Sequence, residues 1–152
     1  MYDSGPVLLF DGECGLCVRC VRLLANADRQ RRLRYAPLLG GAAQEFLRDR
    51  GLPTEDFESI IFVPDWSRRL VVSPLVRTDA LCAAVAVTSG WLAMGQWLRF
   101  LPRKGRDAAY RCVARGRRRL FRRGDGGGLL NEFGAERFVL SPMEAAKRGE
   151  TK

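Results

Sequence analysis

The most reactive pattern in the chain is Asp11-Gly12-Glu13-Cys14-Gly15-Leu16-Cys17-Val18-Arg19-Cys20, which follows directly on the apolar run Val7-Leu8-Leu9-Phe10. The thiolate is the nucleophile in thiol–disulfide exchange, so a cysteine's reactivity follows from how far its surroundings favour that form. A cysteine at the start of a helix meets unpaired backbone N–H groups and the positive end of the helix dipole, and both favour the thiolate. A second cysteine three positions on lies about one turn further, within reach of a mixed disulfide formed at the first. This placement makes Cys14 the nucleophile, nearer the loop, and Cys17 the resolving thiol, partly covered by the helix. Arg19 adds positive potential that favours thiolate. Asp11 and Glu13 oppose it, unless one of them accepts the proton of Cys17.

The pattern works only if a strand ends at Phe10 and a helix begins near Cys14, and the flanking sequence supports both. Val7-Leu8-Leu9-Phe10 reads as a buried strand stopped by Asp11-Gly12. Residues 16–28 carry Leu16, Cys17, Cys20, Val21, Leu23 and Leu24 near helical spacing. Leu33-Arg34-Tyr35-Ala36 alternates and ends at Pro37, as a second strand would, and residues 40–50 form a short helix candidate. Residues 59–63 read as a third strand. Turn residues Pro64-Asp65-Trp66-Ser67 follow, and residues 70–76 can return as an antiparallel partner. Thr78-Asp79 suits an N-cap for a helix over residues 80–87, residues 91–101 form a further helical segment, and residues 107–121 form a basic helix. The order β-α-β-α-β-β-α with additional C-terminal helices is that of an α/β thioredoxin-like sheet with helices on both faces. Residues 1–123 are expected to form that single domain, with 91–123 as its helical extension. Residues 124–152 are expected to be a flexible glycine-rich break and a partly ordered tail.

Composition narrows the chemistry. With 152 residues the chain suits one compact domain. It has five cysteines and no histidine, which excludes Ser-His-Asp and Cys-His hydrolases, His-ligated metals and imidazole proton transfer. The Met1-Tyr2-Asp3-Ser4-Gly5 start lacks a basic n-region, and no stretch reaches the length of a membrane span. The expectation is a cytoplasmic protein, where a close cysteine pair points to catalysis or metal rather than to a structural staple. The net charge of +9 is concentrated in residues 99–123, where eleven basic residues face the single acid Asp107.

The run Leu8-Leu9-Phe10-Asp11-Gly12-Glu13-Cys14-Gly15-Leu16-Cys17 resembles the signature of the DCC family of thiol–disulfide oxidoreductases, named for its Asp-Cys-Cys motif. Leu33-Arg34-Tyr35-Ala36-Pro37-Leu38, the strand at residues 59–63, Arg77-Thr78-Asp79-Ala80 and Arg106-Asp107-Ala108-Ala109-Tyr110 resemble family segments in the same order, so the likeness spans residues 7–121. The resemblance implies a thioredoxin-like domain with Asp11, Cys14 and Cys17 as signature residues. The chain departs from thioredoxin itself: no tryptophan precedes Cys14, and Ser59 stands where a proline would face the dithiol. The resulting expectation is a redox-active CxxC centre that needs no bound cofactor, a disulfide-containing substrate (protein or small thiol) and an external reductant.

Two other readings stay open at this level. Cys14, Cys17 and Cys20, with Cys82 or Cys112 as a fourth ligand, would suit zinc or an iron–sulfur centre. Against this, Cys20, Cys82 and Cys112 also fit a role as small buried hydrophobes. A basic interaction protein with an inactive thioredoxin-like fold would place Arg115, Arg117, Arg118, Arg119, Arg122 and Arg123 against nucleic acid or another anionic surface. No recognised nucleic-acid motif accompanies that stretch, and a solvated helix face accounts for it better.

Overall fold

The computed structural model describes residues 4–55, 60–88, 100, 102–120 and 124–149. The apolar run after Pro6 forms β1 (Val7–Phe10), and all four of its side chains are buried. Successive strand residues face opposite sides of a sheet, so a strand that is apolar at every position must be covered on both faces. Leu8 and Phe10 accordingly enter one core, and Val7 and Leu9 enter another.

Around β1 the sheet takes the order β2-β1-β3-β4, with β2 (Arg34–Pro37) parallel to β1 and β3 (Ile61–Val63) antiparallel to it. The short β4 (Leu75–Val76) runs antiparallel to β3. On the Leu8 and Phe10 face, α1 (Gly15–Ala27) contributes Cys17, Val18, Val21 and Leu24, and α3 (Arg77–Val87) contributes Ala80 and Ala84. On the other face, α2 (Gly41–Asp49) contributes Ala43, Phe46 and Leu47, with Trp66 packed 5.5 Å from Phe46 between ring centres. The element order and the two covered faces are those of the thioredoxin-like α/β fold that the sequence predicts.

Several boundaries differ from the expected ones. The fourth strand, expected over residues 70–76, is paired only at Leu75–Val76. Residues 70–72 turn instead, because Val71 and Val72 donate their N–H groups back to Arg68 O and the Arg50 guanidinium holds Leu70 O at 2.6 Å. Thr78 and Asp79 lie in the first turn of α3 rather than before it, with Val76 at the cap position. The expected helix at 91–101, apart from residue 100, and Ser59 lie outside the described residues. The basic segment forms α4 (Arg103–Leu120). Among the described residues no helix is long and apolar enough to cross a membrane.

The largest difference lies beyond residue 123. Residues expected as part of a flexible break form α5 (Gly126–Phe133), capped by Asp125, whose carboxylate accepts the Gly128 N–H at 2.9 Å. A 3₁₀ turn (Ala135–Arg137) and α6 (Pro142–Gly149) follow. Together these elements strap the domain. Leu129 and Leu130 bury against the α1 core, and Glu132 pairs with Arg22 at 2.9 Å. Val139 N–H then bonds Tyr35 O at 2.9 Å along the β2 edge. Ser141 and Glu144 form a reciprocal cap on α6, and Glu144 also accepts the Gly41 N–H at 3.0 Å, at the start of α2. Contacts like these join residues more than a hundred positions apart, so no local pattern announces them.

The strap's deepest anchor is Arg137, which pairs with Asp28 at 2.9 Å; the side chains are 6% and 0% exposed. Asp28 also accepts the N–H groups of Arg32 and Leu33, and Arg137 donates to Ala25 O. Its guanidinium lies 5.7 Å above the Tyr35 ring. Burial drives the Tyr35 phenol well above its usual range, while the Arg137 charge opposes that rise. Removing one partner of such a pair leaves an uncompensated buried charge, which costs about 3–5 kcal/mol, whereas an exposed pair contributes about 0.2–1 kcal/mol. Arg137→Ala should therefore lower the urea midpoint of unfolding far more than Glu132→Ala, which removes only the exposed pair with Arg22. Equal shifts in the two variants would show that the buried pair does not anchor the strap.

Candidate active site

The site begins where β1 ends. Asp11 Oδ1 accepts the Glu13 N–H at 2.9 Å and Asp11 O accepts the Cys14 N–H at 3.3 Å, which folds residues 11–14 into a tight turn. Cys14 is the N-cap of α1, with extended backbone (φ −86°, ψ 113°) and no side-chain capping bond. Its carbonyl accepts the Val18 N–H at 3.0 Å and so opens the helix. The nucleophile candidate thus sits at the positive end of the α1 dipole. Cys17 follows on the inner face of α1 among Val18 and Val21. Cys14 is 8% exposed and Cys17 4%.

The loop is covered by chain from the far end of the sequence. Gly124 donates its N–H to Glu13 O at 2.7 Å, and Gly126 donates to Gly12 O at 3.0 Å. The two stretches of backbone touch without side chains between them. A Cβ on Gly124 would lie 2.8 Å from the Cys14 carbonyl carbon, and one on Gly126 would lie 2.7 Å from the Gly12 Cα. Only glycine allows this approach without a shift. Sequence reading misses these residues as part of the site. The glycine run at 126–128, read as flexibility, marks instead a place where backbone meets backbone and a helix begins.

The remaining cysteines divide. Cys20 is half-buried, and burial pushes its thiol up from the usual value, with the adjacent Cys14 adding to the rise. Cys82 is half-buried on α3, where Arg106 Nη1 lies 3.2 Å from its Sγ. Cys112, expected in the core, is exposed on α4, a helix whose contacts are with α3. All five stand as thiols. Among the described residues no group of three or more Cys, Asp or Glu side chains is arranged to hold a metal ion, so the zinc and iron–sulfur readings gain no donor set. Within the basic segment, Arg115 is exposed, but Arg106 is turned inward and pairs with Asp79 at 3.4 Å. Arg106 also lines a groove of about 740 Å³ with Phe62, Pro64, Leu75 and Cys82, and none of the motif residues lines it.

The family of DCC1-like thiol–disulfide oxidoreductases has a model that matches residues 8–123, which takes in β1 from its second residue, the dithiol and the other strands of the sheet. The chain belongs to the DCC family. A DCC family protein of Arabidopsis thaliana, named as chloroplastic, is 30% identical over 123 residues, covering 81% of this chain and 69% of its own length. The uncharacterized protein YuxK of Bacillus subtilis is 31% identical over 120 residues, covering 76% of this chain and 80% of its own. No solved structure matches. The DCC model ends at residue 123, one residue before the strap reaches the dithiol loop.

The environment of Cys20 gives a direct check on the geometry. A raised thiol pKa leaves less thiolate at a given pH, so alkylation of Cys20 should reach half its limiting rate above the usual thiol range. Cys14→Ser removes the neighbouring sulfur and should move that midpoint down, leaving the part caused by burial. An unchanged midpoint, followed by mass spectrometry of the alkylated peptide across pH, would place Cys20 away from Cys14.

Proposed function

We propose that this protein is a thiol–disulfide oxidoreductase working through Cys14 and Cys17. The observation that carries the reading is the position of the pair. Cys14 caps the first helix directly behind the central strand of a thioredoxin-like sheet, and Cys17 lies one turn on in the same helix. The Cys14 thiolate attacks one sulfur of a substrate disulfide, forming a mixed disulfide and expelling the other sulfur as a thiolate. Cys17, having lost its proton to water or a nearby base, then attacks the Cys14 sulfur. The Cys14–Cys17 bond forms, the second substrate thiolate leaves, and the protein has given up two electrons. An external dithiol reductant reverses the change. No bound organic cofactor enters this scheme, and the reducing compartment it needs is met by the cytoplasm.

Titration against glutathione redox buffers, with thiols counted by mass-tagged alkylation, should remove two thiols in one transition and map the bond to Cys14–Cys17. In the assigned order, Cys17→Ser traps a mixed disulfide and Cys14→Ser does not. Equal trapping by the two variants would overturn the assignment, and a protein that forms no internal disulfide would overturn the function.

Asp11 belongs to the site through its turn. Its carboxylate is taken by the Glu13 N–H, and we propose that it shapes the loop that presents Cys14. Asp11→Asn keeps an acceptor and removes the charge, whereas Asp11→Ala removes both. A turn-holding role predicts trapping near the original rate in the Asn variant and slower trapping in the Ala variant, with a stability loss of about 1 kcal/mol. If both variants slow trapping equally while the Asn variant keeps its stability, the carboxylate charge itself acts, as a proton acceptor would.

A further inference from the structure

Attack on a disulfide requires the Cys14 sulfur to meet a sulfur of the substrate, and the mixed disulfide that follows must accommodate the rest of that molecule. Cys14 is only 8% exposed, in one apolar cluster with Leu129 and Leu130 of α5, and Gly124 lies against its backbone. We propose that Gly124 and Gly126 determine the specificity of the dithiol: they let the start of the strap lie on the motif loop, so that Cys14 admits compact disulfides and excludes bulky ones unless the strap lifts. The inference rests on Cys14 as the nucleophile.

The strap is built to lift from this end. Among the described residues its contact with the loop includes two backbone hydrogen bonds, from Gly124 to Glu13 O and from Gly126 to Gly12 O. Its strong anchors lie further along, in the buried Arg137–Asp28 pair and in the Glu144 carboxylate on Gly41 N–H. Between them, α5 holds to α1 through Leu129, Leu130 and the exposed Arg22–Glu132 pair. Local opening draws on the least stable contacts first, so residues 124–128 can separate from the loop while the Arg137 end stays in place. With the strap down, Gly124 lies against the Cys14 backbone and obstructs a folded protein's disulfide more than a small reagent. With it raised, the Gly12 and Glu13 carbonyls become available to the amide groups of an incoming polypeptide.

The test is the rate of alkylation of the reduced full-length protein by iodoacetamide and by a maleimide carrying a long polyethylene glycol chain, resolved by cysteine. Exposed Cys112 is the internal reference. Relative to Cys112, Cys14 should lose about tenfold or more in rate on going from the small to the large reagent. Gly124→Ala places a Cβ against the Cys14 backbone, forces the strap outward and should remove most of that discrimination. Should the variant fail to fold, the original protein in sub-denaturing urea answers the same question. Opening of the strap alone exposes little surface, so Cys14 labelling should be nearly independent of urea while Cys17 labelling rises steeply.

Discrimination at Cys14 no greater than at Cys112 would overturn the proposal. So would a urea dependence at Cys14 matching that at Cys17, which would mean that only global unfolding uncovers it. These readings do not use redox turnover. A Cys14–Cys17 couple without size discrimination refutes the gate alone, and size discrimination without a couple refutes the functional reading.

Discussion

The carboxylate of Asp28 has no exposure, and a charge so placed must be met on every side. It is met by two backbone N–H groups just before β2 and by Arg137, which arrives from more than a hundred residues away. That one requirement fixes where α1 ends, where β2 begins and where the C-terminal chain crosses the sheet edge. The rest of the strap follows from it. With Arg137 held at the C-terminal end of α1, α5 lies along that helix, and the residues before α5 come to rest at its N-terminal end, over the dithiol. The two ends of α1 are thus joined by separate parts of the chain. One end carries Cys14 and the motif loop, and the other holds the anchor of the segment that covers that loop.

The inner half of this arrangement is legible in the sequence because its signals are local. Four consecutive apolar residues imply a strand covered on both faces, Asp11-Gly12 implies the turn that ends it, and the spacing of Cys17, Val21 and Leu24 implies a helix with one buried face. From these alone the dithiol falls at a strand-to-helix junction, where the structure has it. The register of the sheet follows from β1 as well, because a shift by one residue would exchange the two cores.

The outer half is illegible for reasons that are equally physical. Arg137 and Glu144 look like ordinary surface charges until the groups they satisfy, Asp28 and the Gly41 N–H, are known. The glycines at 124–128 read as flexibility because glycine is permissive in isolation. Here the same lack of a side chain permits contact between two backbones and the first turn of a helix. Arg106 is counted with the basic stretch 99–123 by its position in sequence, yet its side chain turns inward against Asp79 and Cys82. Cys112, six residues on, carries the opposite lesson: an uncharged residue among helical neighbours that nonetheless faces water.

The separation between the dithiol and its cover also orders events in time. A ribosome adds roughly 5–20 residues per second, so Cys14 and Cys17 are made several seconds before Gly124. Through that interval β1, α1 and β2 can already be assembled while the loop has nothing above it. The motif cysteines of the nascent chain are therefore made well before residues 124–126 exist to lie against their loop. Synthesis of the strap closes that period, because only with Arg137 in place is there an anchored segment to lie over the loop.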